Sequence, residues 1–421
     1  MKIKSISAHE ILASGGYPSV ECIVELEDGS IGIASVPYGA SAGTHEASVL
    51  NDEDPNRYGG KGMLKAVDNI KSIIAPELLG KDAKDQQDID TLMIEIDGTE
   101  DKSKLGGNAI LAVSLSVAKA EANSRKLELF EHITELFGTN INADKLPNPM
   151  VVAIEGGKHA DNTTDLQEFC ITGISENGPT ENIRYALESY HSLKTILKKN
   201  NLSTNVGNEG AFAPNGIANN ESPLMYIMEA IKVAGYTPGK DLGISIDAAA
   251  SEFYKDGNYH LSIEDRVLNA DELSQYYEKW LSAYPIVTVE DMHDEDDWDS
   301  WAKFNTICKN HRVELIGDDL TVTNVKRLQK AIDMDAISAI LIKLNQIGTL
   351  TETVNTCLLA KQHGMDSVPS HRGGGETNDT SMVDLAVAVG AKFIKVGPTR
   401  GERIAKYNRL MEIERQLRDK R

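Results

Sequence analysis

The sequence predicts an α/β chain in which a small α+β amino-terminal domain precedes a larger parallel barrel. Three observations carry that prediction. Three segments near the start alternate apolar and polar side chains, as half-buried antiparallel strands do. A polar stretch with two prolines, GTNINADKLPNP from Gly138, then marks a change of pattern. Beyond it, six short apolar runs each lead into a helix-like segment, which argues for a parallel sheet, and for a closed barrel over an open doubly wound one.

Taken in order, the early strands are KIKSISAHEIL, SVECIVELED and SIGIASVPY, with a turn at Asp28-Gly29 between the last two. Helical spacing takes over after about residue 60, and AILAVSLSVAKA from Ala109 reads as a buried helix, too short and interrupted to span a bilayer. The boundary is set at residues 138/139, giving domains 1–138 and 139–421. The later runs are GISIDAAA, IVTVEDM, VELIGDDL, AILIKLN, DSVPSHR and KFIKVG, with helices such as NVKRLQKAIDM between them. None is followed by a GxGxxG fingerprint, so a dinucleotide-binding sheet is the weaker alternative.

Composition narrows the function. Lys plus Arg number 43 against 64 Asp plus Glu, a formal charge of -21, which opposes binding to nucleic acid or anionic membranes. An anionic small molecule then needs a local cationic pocket or a metal ion. The four cysteines lie far apart without a CxxC, which suggests neither a zinc site nor a disulfide framework. MKIKSISAHEIL has charged and polar residues where a signal peptide needs an apolar core, and a reducing cytoplasm is the expected location.

Each run ends in a polar residue: Asp247, Glu290, Asp318, Lys343, His371 with Arg372, and Lys395. In a barrel the carboxyl ends of the strands open on one face, so these side chains would converge on one pocket. A single acid at a strand end is usually a helix cap, but Lys343 and Lys395 cannot cap a helix amino terminus. Three carboxylates form a hard oxygen cage suited to Mg²⁺. A lysine beside a metal and a second ammonium is favoured in its neutral, basic form. Such an assembly fits removal of a poorly acidic proton next to a carboxylate.

Ordered words along the chain, among them YGASAGTHEA, GNAILAVSLS, GGKHADN, DLQEF, VGNEGAFAPN, DAAASEFY, VEDM, GDDLTVTN, LIKLNQIGTLTET, SHR and IKVG, make it resemble the enolase family over nearly its whole length. The resemblance implies a modified eight-stranded (β/α) TIM-type barrel whose first units depart from simple alternation, carrying a small amino-terminal α+β domain. It implies a homodimer or higher homo-oligomer, and reversible dehydration of 2-phosphoglycerate to phosphoenolpyruvate with two Mg²⁺ ions per site. Pairing a lysine base with Mg²⁺ is already established for the enolase superfamily. Carried over by position, Asp247, Glu290 and Asp318 would hold one ion, with Lys343 as base and Glu209 as the acid for the departing hydroxyl. Glu168 would help position that group, and Arg372 and the Ser41 loop would address phosphate and the second ion. Lys395 would face the carboxylate side, and Gln167, His371 and His159, the last on a mobile loop, would contact substrate.

Departures cluster around the loops. SHRSGET of the family reads SHRGGGET here, so a serine is absent, and Gly373 to Gly375 would offer backbone N–H groups to phosphate instead. DSRGNP has become ASGGYP, and Glu155, Lys158 and Asn208 are further changes. Glu412 stands for an arginine that would face Glu188 across a dimer, so a weakened dimer is expected. Two other functions follow from these changes: a dehydratase of this fold for another acid substrate, and a weakly catalytic protein displayed on cell surfaces, against which the chain lacks a terminal lysine.

Overall fold

The computed structural model describes residues 1–39, 43–161 and 163–420. Strands β1 (Ile3–Leu12), β2 (Pro18–Leu26) and β3 (Ile31–Ser35) form an antiparallel meander in that order. The turn after β2 uses Gly29 at φ +86°, with the Ser30 N–H donating to Asp28 Oδ1 at 2.9 Å. Val20, Cys22, Val24 and Leu26 alternate along β2 and are all buried. They face the helix Gly107–Ser124, in which the run from Ala109 to Ala118 is wholly buried, as its apolar sequence requires. Gly32 lets that helix approach β3 closely, because a Cβ there would lie 2.0 Å from the Ser116 carbonyl oxygen.

The larger sheet contains, among the described residues, eight strands. They are β4 (Asn148–Glu155), β5 (Glu168–Gly173), β6 (Leu242–Asp247), β10 (Ile286–Glu290), β11 (Glu314–Gly317), β12 (Ala339–Ile342), β13 (Asp366–Pro369) and β14 (Phe393–Val396). A small ribbon of β7 (Tyr254–Lys255), β8 (Asn258–Leu261) and β9 (Arg266–Leu268) sits outside it. The order is β13-β12-β11-β10-β6-β5-β4-β14, and a bridge between Ser370 and Lys395 joins the two ends into a barrel. The six apolar runs are β6 and β10 to β14, all parallel to their neighbours on that side of the barrel. β4, β5 and the outer ribbon have no counterpart among those runs.

β5 runs antiparallel to both β4 and β6. Its first residue therefore lies at the end where the other strands finish. Register then pairs Glu155 with Glu168, Glu168 with Asp247, and Asp247 with Glu290, a row of four carboxylates across four adjacent strands. All four are buried. Such a row persists only if cations and N–H groups answer it. Left-handed backbone gathers just beyond it, with Ala249 at φ +45°, Asp291 at +45°, Val322 at +43° and Thr323 at +56°. Positive φ at a β-branched residue is strained, and three strand ends carry their loops into the site this way.

Candidate active site

Lys395, on β14, answers most of the row. Its Nζ lies 2.8 Å from carboxylate oxygens of Glu168, Asp247 and Glu290. Burial acts against its charge, but Asp247 and Glu168 outweigh that and hold its pKa well above the ordinary lysine value. Burial and the neighbouring Asp247 push Glu290 well up, and burial raises Asp247 against the pull of Lys395. One ammonium is thus shared by three carboxylates.

Lys343 follows β12 and pairs with Asp318 Oδ2, while Gln346 Nε2 donates to Asp318 Oδ1 at 2.8 Å. Asp318 raises the Lys343 pKa despite burial, so the amine is protonated in this arrangement. Behind it, Asp291 accepts the backbone N–H groups of Asp318 at 2.9 Å and Asp319 at 2.8 Å. Asp291, Asp318 and Asp319 bring ligand oxygens within 4.8 Å of one another.

A third group surrounds Glu209, which is buried in the loop after the helix Pro179–Lys199. Its Oε1 lies 3.4 Å from His159 Nδ1 and 3.3 Å from His371 Nε2, and His159 Nδ1 is also 3.2 Å from Glu168. Arg403 donates to His371 Nδ1 at 3.1 Å, which fixes Nε2 as the nitrogen facing Glu209. Burial alone would raise Glu209, yet His371 and His159 bring its pKa well below the usual carboxylate range. His159 is lifted to about 9: burial opposes its charge, but Glu209 and Glu168 prevail. Glu155 accepts the Glu209 N–H at 3.1 Å, and burial with Glu209 repulsion pushes its pKa up to about 8.

Arg372 completes the site from the other side. Its guanidinium meets Glu46 through two bonds, at 2.8 and 3.1 Å, and both side chains are buried. Beyond it, the N–H groups of Gly373 and Gly374 make no hydrogen bond among the described residues, whereas the Gly375 N–H donates to the Tyr38 carbonyl at 2.8 Å. Only the first two of the three glycines therefore have N–H groups to offer an anion. Gly373 is packed so closely that a Cβ would lie 2.6 Å from the His159 ring and 2.7 Å from Glu209 Oε1.

The structure thus gathers Asp247, Glu290, Asp318, Lys343, Lys395, Glu168, Glu209, His159, Gln167, His371, Arg372 and Gly373 at one end of the barrel, and all but Glu290 line one cavity. Ser41 lies outside the described residues. Gln167 is buried there with its Oε1 unpartnered. Glu46, Gln346, Asp291 and Asp319 also belong to this end of the barrel, although the sequence pattern does not single them out. The acidic doublets in VEDM and GDDL are the signal for the two aspartates, since each second acid follows a strand-end carboxylate. Glu46 carries no such signal.

The donor set suits a hard divalent cation. It offers oxygens, an excess of buried carboxylate over cation, and a lysine already drawn among Asp247, Glu168 and Glu290 as a positive charge would be. A closed barrel with acids, lysines and imidazoles converging on its carboxyl end is the arrangement of a barrel enzyme with its small-molecule site at that face. Residues 3–133 match the family model for the enolase amino-terminal domain, and residues 143–421 match that for the enolase carboxy-terminal TIM barrel domain. The chain belongs to the enolase family and has its enzyme fold. No helix among the described residues is long and apolar enough to cross a membrane.

Proposed function

We propose that this chain is a carbon-oxygen lyase that interconverts 2-phosphoglycerate and phosphoenolpyruvate, the dehydration step of glycolysis and gluconeogenesis, with Mg²⁺ and in the cytoplasm. The observation that carries the reading is the division of the pocket into two opposed functions. Lys343 is paired with Asp318 and Glu209 is set between two imidazoles, so two separate proton-handling groups face one cavity.

Asp247, Glu290 and Asp318 would hold one Mg²⁺, and the Ser41 loop would contribute to the second. Mg²⁺ held there would supply charge that neutralises the substrate carboxylate, and by sharing Asp318 with Lys343 it would favour the neutral amine. Lys343 then removes the proton at C2. Glu209, ionised in this arrangement, would first take up a proton from the neighbouring His159, deliver it to the departing C3 hydroxyl with Glu168 orienting that group, and return to the carboxylate form that His371 and His159 stabilise. Lys395 and Gln167 face the substrate carboxylate, and Arg372 with the Gly373 and Gly374 N–H groups receives the phosphate. The cavity measures about 20 Å³, and in this reading the pocket opens to admit a three-carbon phosphate ester.

In this reading residues 139–421 form the catalytic unit and residues 1–138 lend Glu46 and Tyr38 to its rim. A homo-oligomer follows from the family. Within one chain Glu188 already pairs with Arg184 at 3.2 Å and Glu412 with Arg409 at 3.1 Å, which leaves neither acid as a strong contact for a partner.

The test is absorbance of phosphoenolpyruvate formed from 2-phosphoglycerate, before and after chelation. Formation that stops with chelator and returns with Mg²⁺ is expected. Undiminished formation in chelated enzyme overturns the metal assignment, and no formation at any Mg²⁺ level, with turnover of an unphosphorylated hydroxy acid, makes this a dehydratase for another substrate.

A further inference from the structure

Three glycine-bearing segments meet at one aromatic ring. Tyr38 and Gly375 form a two-bond antiparallel bridge, Tyr38 N–H to the Gly375 carbonyl at 3.0 Å and Gly375 N–H to the Tyr38 carbonyl at 2.8 Å. The Tyr38 ring lies over Gly375 so closely that a Cβ there would be 2.1 Å from Cζ and 2.2 Å from Cε1. Gly375 does not adopt left-handed backbone, so it is the ring, and not φ, that excludes a side chain. Gly15 closes the third side: a Cβ on it would lie 3.0 Å from the Gly374 carbonyl oxygen and 3.2 Å from the Tyr38 hydroxyl. The hydroxyl is buried without a fully formed hydrogen bond, beside the Tyr17 backbone.

This knot has two neighbours of consequence. On one side the chain leads from Tyr38 through Gly39 to the Ser41 loop and Glu46. On the other, Gly375 is followed by Glu376, whose carboxylate accepts the Arg372 N–H at 2.9 Å and Lys406 Nζ at 3.0 Å, while the Glu376 N–H donates to Ser14 Oγ at 3.0 Å. Fixing Gly375 from above by the ring and from below by Glu376 leaves only Gly373 and Gly374 free to present N–H groups.

We propose that Tyr38 is a positioning residue for substrate affinity, clamping Gly375 so that the Gly373 and Gly374 amides and Arg372 are held as one anion-binding loop. The role rests on the reading of that loop as the phosphate site. It acts through shape, since the ring fills what would otherwise be a gap over three glycines, the most flexible backbone in the site. The hydroxyl contributes nothing to it.

The test uses the full chain with Mg²⁺, following phosphoenolpyruvate hydration and hydrogen exchange over the segment containing Gly375. Tyr38→Ala is expected to raise KM for phosphoenolpyruvate about tenfold, the equivalent of one lost charge-assisted hydrogen bond, with kcat within about twofold and faster exchange at Gly375. Tyr38→Phe is expected to keep parental KM and exchange. Gly375→Ala, which displaces the ring, is expected to reproduce the alanine phenotype, and Tyr38→Ala/Gly375→Ala to be no worse than Tyr38→Ala alone. If Tyr38→Ala does not fold, Gly375→Ala against Tyr38→Phe carries the comparison. An unchanged KM in folded Tyr38→Ala, or independent multiplication of the two effects, overturns the role of Tyr38. A parent that neither binds nor turns over phosphoenolpyruvate overturns the phosphate-loop reading as well.

Discussion

Glu46 and Arg372, 326 residues apart in sequence, hold each other through both carboxylate oxygens inside the pocket. Glu46 also accepts the Gly43 N–H at 3.1 Å and Gln346 Nε2 at 3.3 Å, so it gathers three loops around one guanidinium. Removing one partner of a buried ion pair costs about 3 to 5 kcal/mol, because the remaining charge loses its counter-ion. Glu46→Gln is expected to lower the melting temperature without ligand, and phosphoenolpyruvate with Mg²⁺ is expected to restore more of it than it adds to the parent. Thermal shifts measured on both proteins decide this. Equal ligand shifts would show that Arg372 does not meet the phosphate.

The two proposed proton-transfer groups separate cleanly by isotope exchange. Lys343→Ala should abolish exchange of the C2 proton of 2-phosphoglycerate with solvent, while Glu209→Gln should leave that exchange and block dehydration. Proton NMR in heavy water follows the first and absorbance the second. Exchange persisting in the lysine variant would identify another base.

Restoring a serine at position 373 tests the tight packing there. A side chain on Gly373 meets the His159 ring and Glu209 at under 3 Å, so Gly373→Ser should displace both and lower kcat by at least about tenfold, as small misplacements of reacting groups do. Steady-state kinetics that show only a KM change would mean that His159 and Glu209 work from a more open arrangement than the one described.

A stability prediction concerns His132, on the helix Leu129–Phe137 of the amino-terminal domain. Both ring nitrogens are buried without partners, and burial, aided by Arg125, lowers the pKa to about 4 from 6.5. The unfolded chain therefore takes up a proton below pH 6.5 that the folded protein refuses until about pH 4. Stability is full above 6.5 and is lost as pH falls through that window, by about 3 kcal/mol in all. His132→Leu should gain on the parent as the buffer is moved from pH 7.5 to pH 4.5. Urea unfolding at the two pH values measures the gap, and a constant gap would remove His132 as the cause.

The sequence made the parallel part of the barrel legible because each of its strands is a short apolar run ending in a residue of the wrong polarity for its place. Asp247, Glu290, Asp318, Lys343, His371, Arg372 and Lys395 stand out on that ground alone. β4 and β5 do not, since the strand–helix alternation that marks the others is missing between them and β5 carries its acid at its first residue. Glu168, which the reversal of β5 puts at the active end by its first residue instead of its last, is named only through the resemblance. Glu46 and Tyr38 were silent for a different reason. They act on the barrel from the other domain, and distance along the chain carries no trace of that contact.

The joint between β13 and β14 is made by one bridge, Ser370 to Lys395, and by the His371 N–H donating to the Lys395 carbonyl at 3.1 Å. The backbone that zips the cylinder shut is thus the backbone of residues whose side chains crowd the pocket. Among the described residues the lower seam has no ladder to hold it, so the rim is the fastener and the pocket's own ion pairs are part of its grip. The wall and the reaction centre therefore share residues at this joint, and loosening Lys395 loosens the wall it stands in.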